Sequence, residues 1–285
     1  MSPTNPLLKN IEIRYEQDLH FIFGRLHPNN IMHNLHDDAL GLYFTLKQYV
    51  GKGSTKLNMP FSLDHRILVI DDYGHSPTSR VLDYFSAKPL RFFPYLQVDS
   101  HITCFRDAVV GLSKTATWYQ YGFDSFQGPL KNKIPNGARV REVAEWYLRR
   151  NKIIDEELEW NLIVILSRKE NRLILNEKEL GEHLTKTFGY ETVVVSNEEH
   201  SFEEQMKILR RARVVLGMHG SILIMGMFCR KGTILLEMYP FAVPAENYTP
   251  YRTMANLPGM DLVYRDWVVR HFIPDLIKPN ILEPL

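Results

Sequence analysis

The chain has 285 residues, 45% hydrophobic and 24% charged, with a formal net charge of +1; that is enough to bury a sizeable core, in two lobes more readily than one. Lysines and arginines are spread along it rather than blocked together, which argues against DNA or RNA as a partner. Two cysteines, Cys104 and Cys229, say nothing about redox compartment, and no apolar run reaches about 18 residues, so neither a membrane span nor a signal peptide is visible.

In the first lobe a strand is expected at Leu19–Phe23, followed by a turn through Gly24-Arg25-Leu26-His27-Pro28. A helix begins near Asn29 or Asn30, because Ile31, Leu35, Ala39, Leu42, Leu46 and Tyr49 recur every three or four residues. The apolar run Arg66–Asp72, ending in acid, reads as a buried strand of an α/β sheet. Ser76-Pro77 caps a helix through Phe85, and Leu90–Gln97 and Ile102–Leu112 read as short strands. Trp118–Gly137 has aromatics, Gly, Pro and Asn without a period and reads as a long surface loop near the joint between lobes. A helix at Ala138–Arg150 and the charged stretch Asn151–Glu159 lead onward.

From Trp160 to Tyr239 strand and helix patterns alternate as βαβαβαβ. The strands are Asn161–Leu166, Thr192–Val195, Arg213–Met218 and Thr233–Met238. Between them lie a helix at Glu177–Phe188 stopped by Gly189, one from Ser201 with Ser201 and Glu204 at capping-box spacing, and a third at Ser221–Cys229. Such runs predict a parallel sheet covered on both faces, with ligands beyond the carboxyl ends of its strands. The division expected is 1–150, 151–268 and a tail at 269–285.

Two strand ends carry chemistry suited to an anion. Ser167-Arg168-Lys169-Glu170-Asn171-Arg172 places guanidinium groups and a hydroxyl past the first strand of this lobe, either as a diphosphate clamp or as a solvated basic turn. His219-Gly220-Ser221 opens onto an apolar helix, as a phosphate-binding turn or a tight packing turn. Glu237 ends the fourth strand, placed for ribose hydroxyls or as an ordinary satisfied acid. The absence of G-x-G-x-x-G and of a Walker A motif argues against a dinucleotide oxidoreductase or P-loop enzyme. In the first lobe Arg25, His27, Asn30, His33, His36, Asp37 and Asp38 form a dense polar group. On the expected helix Asp38 lies at the edge of the apolar face, with His33 and Asp37 paired one turn apart on the other side; surface polarity is the plainer reading of His36. No Asp-x-Asp occurs, and two helical ligands do not complete a metal site.

The blocks FGRLHPNNIMHNLHDDALGLYFTLKQY, GLSKTATWYQYGF, SRKENRLILNE, GMHGSILIMGMF and EMYPFAVPAENYTPYRTMANLPGMDLVY resemble the catalytic domain of glycosyltransferase family 61, from about Phe21 to Trp267. The resemblance implies a GT-B-like α/β fold, two Rossmann-like lobes facing a central cleft, with the donor nucleotide mainly on the second. It implies UDP-GlcNAc as donor, inversion at the anomeric carbon, and an O-mannosylated glycoprotein of α-dystroglycan type as acceptor, in the endoplasmic reticulum lumen. Ser167, Arg168, Asn171 and Arg172 would hold the diphosphate and uridine side, His219 and Gly220 the phosphates, and Glu237 the ribose. Asn30, His33, Asp37 and Asp38 fall in the block that is similar to the family's cleft-facing helix. On that basis Asp38, or the His33 and Asp37 pair, is expected as base or acceptor-orienting group, with Arg25 and Asn30 as substrate-binding residues. Relatives of this type also carry an amino-terminal membrane anchor and a carboxyl-terminal fibronectin type III domain, and Ser221 stands where Ala is commoner. No tightly bound cofactor is expected, and a metal requirement stays open. Two alternatives remain: a non-catalytic UDP-sugar or glycan-binding module, and a family member using another donor such as UDP-xylose or UDP-arabinose.

Overall fold

The structure, a computed structural model, describes residues 12–51, 59–93, 101–121, 127–130, 136–153, 158–241 and 243–268. The expected tail at 269–285, and the parts of the expected strand and loops at 94–97, 122–126, 131–135 and 154–157, lie outside the described residues. Two units, Met1–Thr115 and Ala116–Leu285, each carry a parallel sheet, so the α/β class with two Rossmann-like units holds.

In the first unit the strands are β1 (Glu12–Phe23), β2 (Arg66–Val69), β3 (Arg91–Phe92) and β4 (His101–Val110), in the spatial order β3-β2-β1-β4 and parallel throughout. The chain therefore reverses its direction of travel across the sheet between β1 and β4, and a ligand crevice belongs beyond the carboxyl ends of those strands. β1 starts seven residues before the expected Leu19, because its exposed first half pairs with β4 from Glu12↔His101 onward. One continuous helix follows the turn after β1: α1 (Ile31–His33), a π-helical segment Asn34–Ala39, and α2 (Leu40–Tyr49). Asn30 caps it, its side-chain oxygen accepting from the Met32 N–H at 2.9 Å. Leu35, Ala39, Leu42 and Leu46 are fully buried. Gly41 is required here, since a Cβ would stand 3.0 Å from Leu112 Cβ and from the Ser113 carbonyl just past β4. The helix expected after Ser76 is a 3₁₀ helix, Pro77–Phe85; the Ser76 hydroxyl does not cap it but donates to the Pro28 carbonyl at 2.5 Å.

The second unit begins at Ala116, not near residue 150. The reason is bonding to a distant part of the same unit: Trp118 is fully buried with its indole N–H on the Pro250 carbonyl at 3.0 Å, and Tyr119 accepts from the Thr249 N–H at 3.2 Å. The stretch expected to be a surface loop is thus partly interior. It forms a small antiparallel pair, β5 (Tyr119–Gln120) with β6 (Gly128–Pro129). The helix α3 (Gly137–Arg150) also belongs to this unit. Its Gly137 N–H donates to the Pro258 carbonyl at 2.9 Å, and buried Arg141 donates to the Met260 and Cys229 carbonyls.

The main sheet comprises β7 (Leu162–Leu166), β8 (Glu191–Val195), β9 (Ala212–Met218), β10 (Ile234–Tyr239) and β11 (Val263–Val268), all parallel, in the order β11-β10-β9-β7-β8. One face packs Ile163, Ile165 and Leu216 against Leu180 and Leu184 of α4 (Glu177–Phe188), which ends at Gly189 in the left-handed region at φ 72°. Elsewhere in the unit Tyr147, Phe202 and Phe228 meet edge to face at 5.4–6.0 Å. The capping box at Ser201 and Glu204 opens α5 (Phe202–Leu209) as expected. The segment after His219-Gly220 is a 3₁₀ helix, Ser221–Phe228, rather than an α-helix. α6 (Pro250–Ala255) then leads to β11, neither of which the sequence patterns singled out.

Candidate functional site

In the second unit the topology puts the crevice between β7 and β9, where the chain leaves toward β8 on one side and returns to β9 on the other. Both anion-suited turns end there. Arg168 folds over Gly220 so closely that a Cβ on Gly220 would meet its guanidinium Nη1 at 1.8 Å. Its Nε donates to the Asn171 carbonyl at 3.0 Å and Nη2 to Asn171 Oδ1. Arg172 adopts the left-handed backbone at φ 53°, which turns its guanidinium back so that Nη1 donates to the His219 carbonyl at 3.1 Å. Burial, then the neighbouring Arg172 charge, pulls the Arg168 guanidinium below its ordinary value, as expected where two cations lie close together. Ser167 is buried and its hydroxyl has no partner among the described residues. The structure therefore gathers Ser167, Arg168, Asn171, Arg172, His219 and Gly220 at one edge.

Beside them lies a cavity of about 600 Å³ whose lining includes Arg172, His219, Gln127, Pro129, Asn247 and Tyr248. Gln127, Asn247 and Tyr248 were not picked out by spacing; Gln127 lies in the stretch Trp118–Gly137 and the other two in EMYPFAVPAENYTPYR, neither of which has a period to read. His219 sits in an aromatic box, stacked on Tyr239 at 5.0 Å and 17°, with Tyr248 and Tyr251 edge-on at 5.9 and 5.8 Å.

Glu237 departs from its expected role. It is fully buried, its Oε1 2.5 Å from His219 Nδ1 and its Oε2 accepting from the Tyr264 hydroxyl at 2.6 Å. A carboxylate with no exposed surface and both oxygens taken, one by His219 and one by Tyr264, cannot meet a ribose.

In the first unit the π segment shapes the polar group. The wider turn, marked by the Leu40 N–H bonding back to the Leu35 carbonyl, places Asp37 between two histidines: His33 Nδ1 is 2.6 Å from Oδ2 and His36 Nδ1 is 2.5 Å from Oδ1. Such widened turns recur at functional sites. The four-residue steps Ile31, Leu35, Ala39 are ordinary for one face of an α-helix, so spacing did not mark the wider turn. His36 is fully buried, not surface polarity as its place on an α-helix suggested. Burial pushes the Asp37 carboxyl up, but the hydrogen bonds from His33 and His36 outweigh it and hold it at about 2. Asp38 goes the other way: burial first, then the adjacent Asp37 charge, raises it well above the ordinary carboxylate value, and its Oδ2 is buried without a partner.

Arg25 is not placed to touch substrate. Its guanidinium and backbone N–H hold Asp71 at 2.6–2.9 Å, with further bonds to Ser79 Oγ and the Gly74 carbonyl at 2.5 Å each. It ties the turns after β1 and β2 together and so supports the helix that carries Asp37. The Asn30 side-chain oxygen is likewise used in capping. Among the described residues no cluster of three or more His, Cys, Asp or Glu is arranged to hold a metal ion.

A family model described as Glycosyltransferase 61 matches residues 31–236. The chain is similar to proteins named protein O-linked-mannose beta-1,4-N-acetylglucosaminyltransferase 2: from Bos taurus, 36% identical over 252 residues, covering 88% of this chain and 42% of the relative; from Homo sapiens, 35% over 260 residues, covering 90% and 43%; and from Danio rerio, 38% over 252 residues, covering 88% and 42%. It thus spans about two fifths of the length of the curated relatives it matches. A glycosyl transferase family 9 structure from Veillonella parvula covers 88% of the chain at 10% identity and a TM-score of 0.33, too low to bear on the fold. With a match extending over well more than half of its residues, the chain belongs to glycosyltransferase family 61.

Proposed function

We propose that this chain transfers N-acetylglucosamine from UDP-GlcNAc to O-linked mannose on a glycoprotein, with inversion at the anomeric carbon. The observation that carries the reading is the convergence of Arg168, Arg172 and His219 on one carboxyl edge, beside a cavity of about 600 Å³. Two guanidinium groups whose hydrogen bonds go to neutral oxygens are suited to a diphosphate, which they bind bidentately and whose departure they stabilise. The unpartnered Ser167 hydroxyl is a further donor for the same oxygens. The names of the relatives support N-acetylglucosamine as the sugar moved and O-linked mannose as its acceptor.

On the acceptor side, His33 held by Asp37 is the group suited to take the hydroxyl proton, and Asp38, whose Oδ2 makes no hydrogen bond among the described residues, is suited to hydrogen-bond the acceptor. The setting is the endoplasmic reticulum lumen, where O-mannosylated glycoproteins are extended. The test is UDP release from a panel of UDP-GlcNAc, UDP-xylose and UDP-arabinose with one O-mannosyl peptide, with and without chelator. Release with UDP-GlcNAc alone is expected. Preference for a pentose donor reassigns the donor, and UDP binding without release in any arm makes the chain a binding module and ends the transferase reading.

A further inference from the structure

We propose that Glu237 and Tyr264 are positioning residues that fix His219 so that its Nε2 faces the leaving diphosphate, an inference that rests on reading the adjacent cavity as the donor site. The geometry is a linear relay. Tyr264 on β11 is in register with Leu235 of β10, which places its side chain on the same sheet face as Glu237 two residues on. Its hydroxyl donates to Glu237 Oε2 at 2.6 Å, and Oε1 lies 2.5 Å from His219 Nδ1. A buried carboxylate is costly unless both oxygens are satisfied by donors. Tyr264 satisfies one; the other requires that His219 carry its hydrogen on Nδ1. That leaves Nε2 as the ring nitrogen available to the cavity, which His219 lines together with Arg172.

The surroundings leave the ring little freedom. Tyr239 stacks on it at 5.0 Å and is itself tied by its hydroxyl to the Tyr248 carbonyl at 2.7 Å, while Tyr251 is buried against it edge-on. The phenols of Tyr239, Tyr251 and Tyr264 are all pushed up, by burial first and then by the neighbouring Glu237 carboxylate, so all three face His219 and Glu237 as hydroxyl donors. When Nε2 also carries a hydrogen, the ring donates to Glu237 on one side and to an anion in the cavity on the other. As the bond from the anomeric carbon to the diphosphate oxygen breaks, its electron pair stays on that oxygen, and the Nε2–H hydrogen bond strengthens without a proton having to leave the ring. The relay therefore acts on turnover more than on ground-state binding.

Histidine-¹⁵N-labelled protein tests this by long-range proton–nitrogen spectra, with the His219 signals identified by their loss in His219→Asn. The resting ring is expected to be protonated on Nδ1, and UDP to displace the Nε2 resonance. E237Q is expected to lower kcat for UDP release roughly 100-fold while the donor KM stays within about threefold, with Tyr264→Phe, which keeps the ring and its packing, intermediate between it and the unsubstituted protein. A resting ring protonated on Nε2, UDP binding that leaves Nε2 unmoved, or substitutions that raise KM without lowering kcat would overturn the relay. Failure of the unsubstituted protein to bind UDP by calorimetry instead overturns the donor-site reading, and the tautomer is still decided by the spectra.

Discussion

Gly220→Ala isolates the diphosphate grip from the fold. The new Cβ would lie 1.8 Å from Arg168 Nη1, 2.8 Å from Cζ and 3.4 Å from Nε. Because unbonded carbon and nitrogen atoms settle at roughly 3.5 Å, the guanidinium must retreat by roughly 1.5–2 Å. What it displaces is the free end of a long, half-exposed side chain, so the stability cost is small, on the order of 0.5 kcal/mol. The retreat breaks both bonds to Asn171 and withdraws the cation from the carboxyl edge of β7. A hydrogen bond to a charged group contributes about 1.5–3 kcal/mol, which converts to a loss of UDP affinity of roughly 10- to 100-fold. Isothermal titration calorimetry measures it directly, with uridine as the phosphate-free control whose binding is unchanged. Gly137→Ala is the counterpart: its Cβ would meet the Met260 backbone nitrogen at 2.6 Å, an atom that cannot swing aside, so its effect appears in Tm. UDP binding by Gly220→Ala within twofold of the unsubstituted protein, at unchanged Tm, would refute Arg168 as a diphosphate ligand.

Arg25→Met leaves the Asp71 carboxylate facing an emptied ion pair whose two side chains are 0% and 8% exposed, and equilibrium unfolding in urea is expected to show a loss of about 3 kcal/mol. Asp38→Asn is expected to stabilise the protein at pH 7 more than at pH 4, read by thermal unfolding. The folded-state value of Asp38 is raised, so the native state binds its proton more tightly than the unfolded chain, and stability falls as pH rises above the unfolded value of about 4. Asp37 has the opposite sign. Held at about 2, it contributes stability that is complete above the unfolded value and lost as pH falls from about 4 toward 2, and Asp37→Asn should abolish that acid transition. Burial pushes the Cys229 thiol up to about 12, so a thiol reagent at pH 8 should modify Cys104 in the native protein and Cys229 only in denaturant.

Much of the second unit was legible in the chain because its signals are local. Runs such as NLIVIL and TVVV are β-branched and uninterrupted, Gly189 stops a helix by adopting φ 72°, and Ser201 and Glu204 cap one through bonds within four residues. The anion-suited turns were legible for the same reason, since in an α/β sheet chemistry collects where strands end. Glu237 was not: its neighbours in space, His219 and Tyr264, are 18 and 27 residues away, and a strand-end acid looks alike whether it meets solvent or is enclosed. Arg25 was misread similarly, because its partner Asp71 lies 46 residues on. The 3₁₀ character of Ser221–Phe228 has no periodic signature in a run that is buried nearly throughout.

By itself, then, the chain determined its class, the alternation of strands and helices from Trp160 onward, its family, and the two turns whose chemistry suits an anion, all of which depend on spacing within a few residues. Tertiary structure alone decided that 116–150 packs with the second unit, that β7 and β9 flank the point where the sheet reverses its winding, and that Asp37 is shared by two histidines. Those outcomes depend on which distant segments bury one another, and burial sets whether a given carboxylate is ionised, neutral or silent.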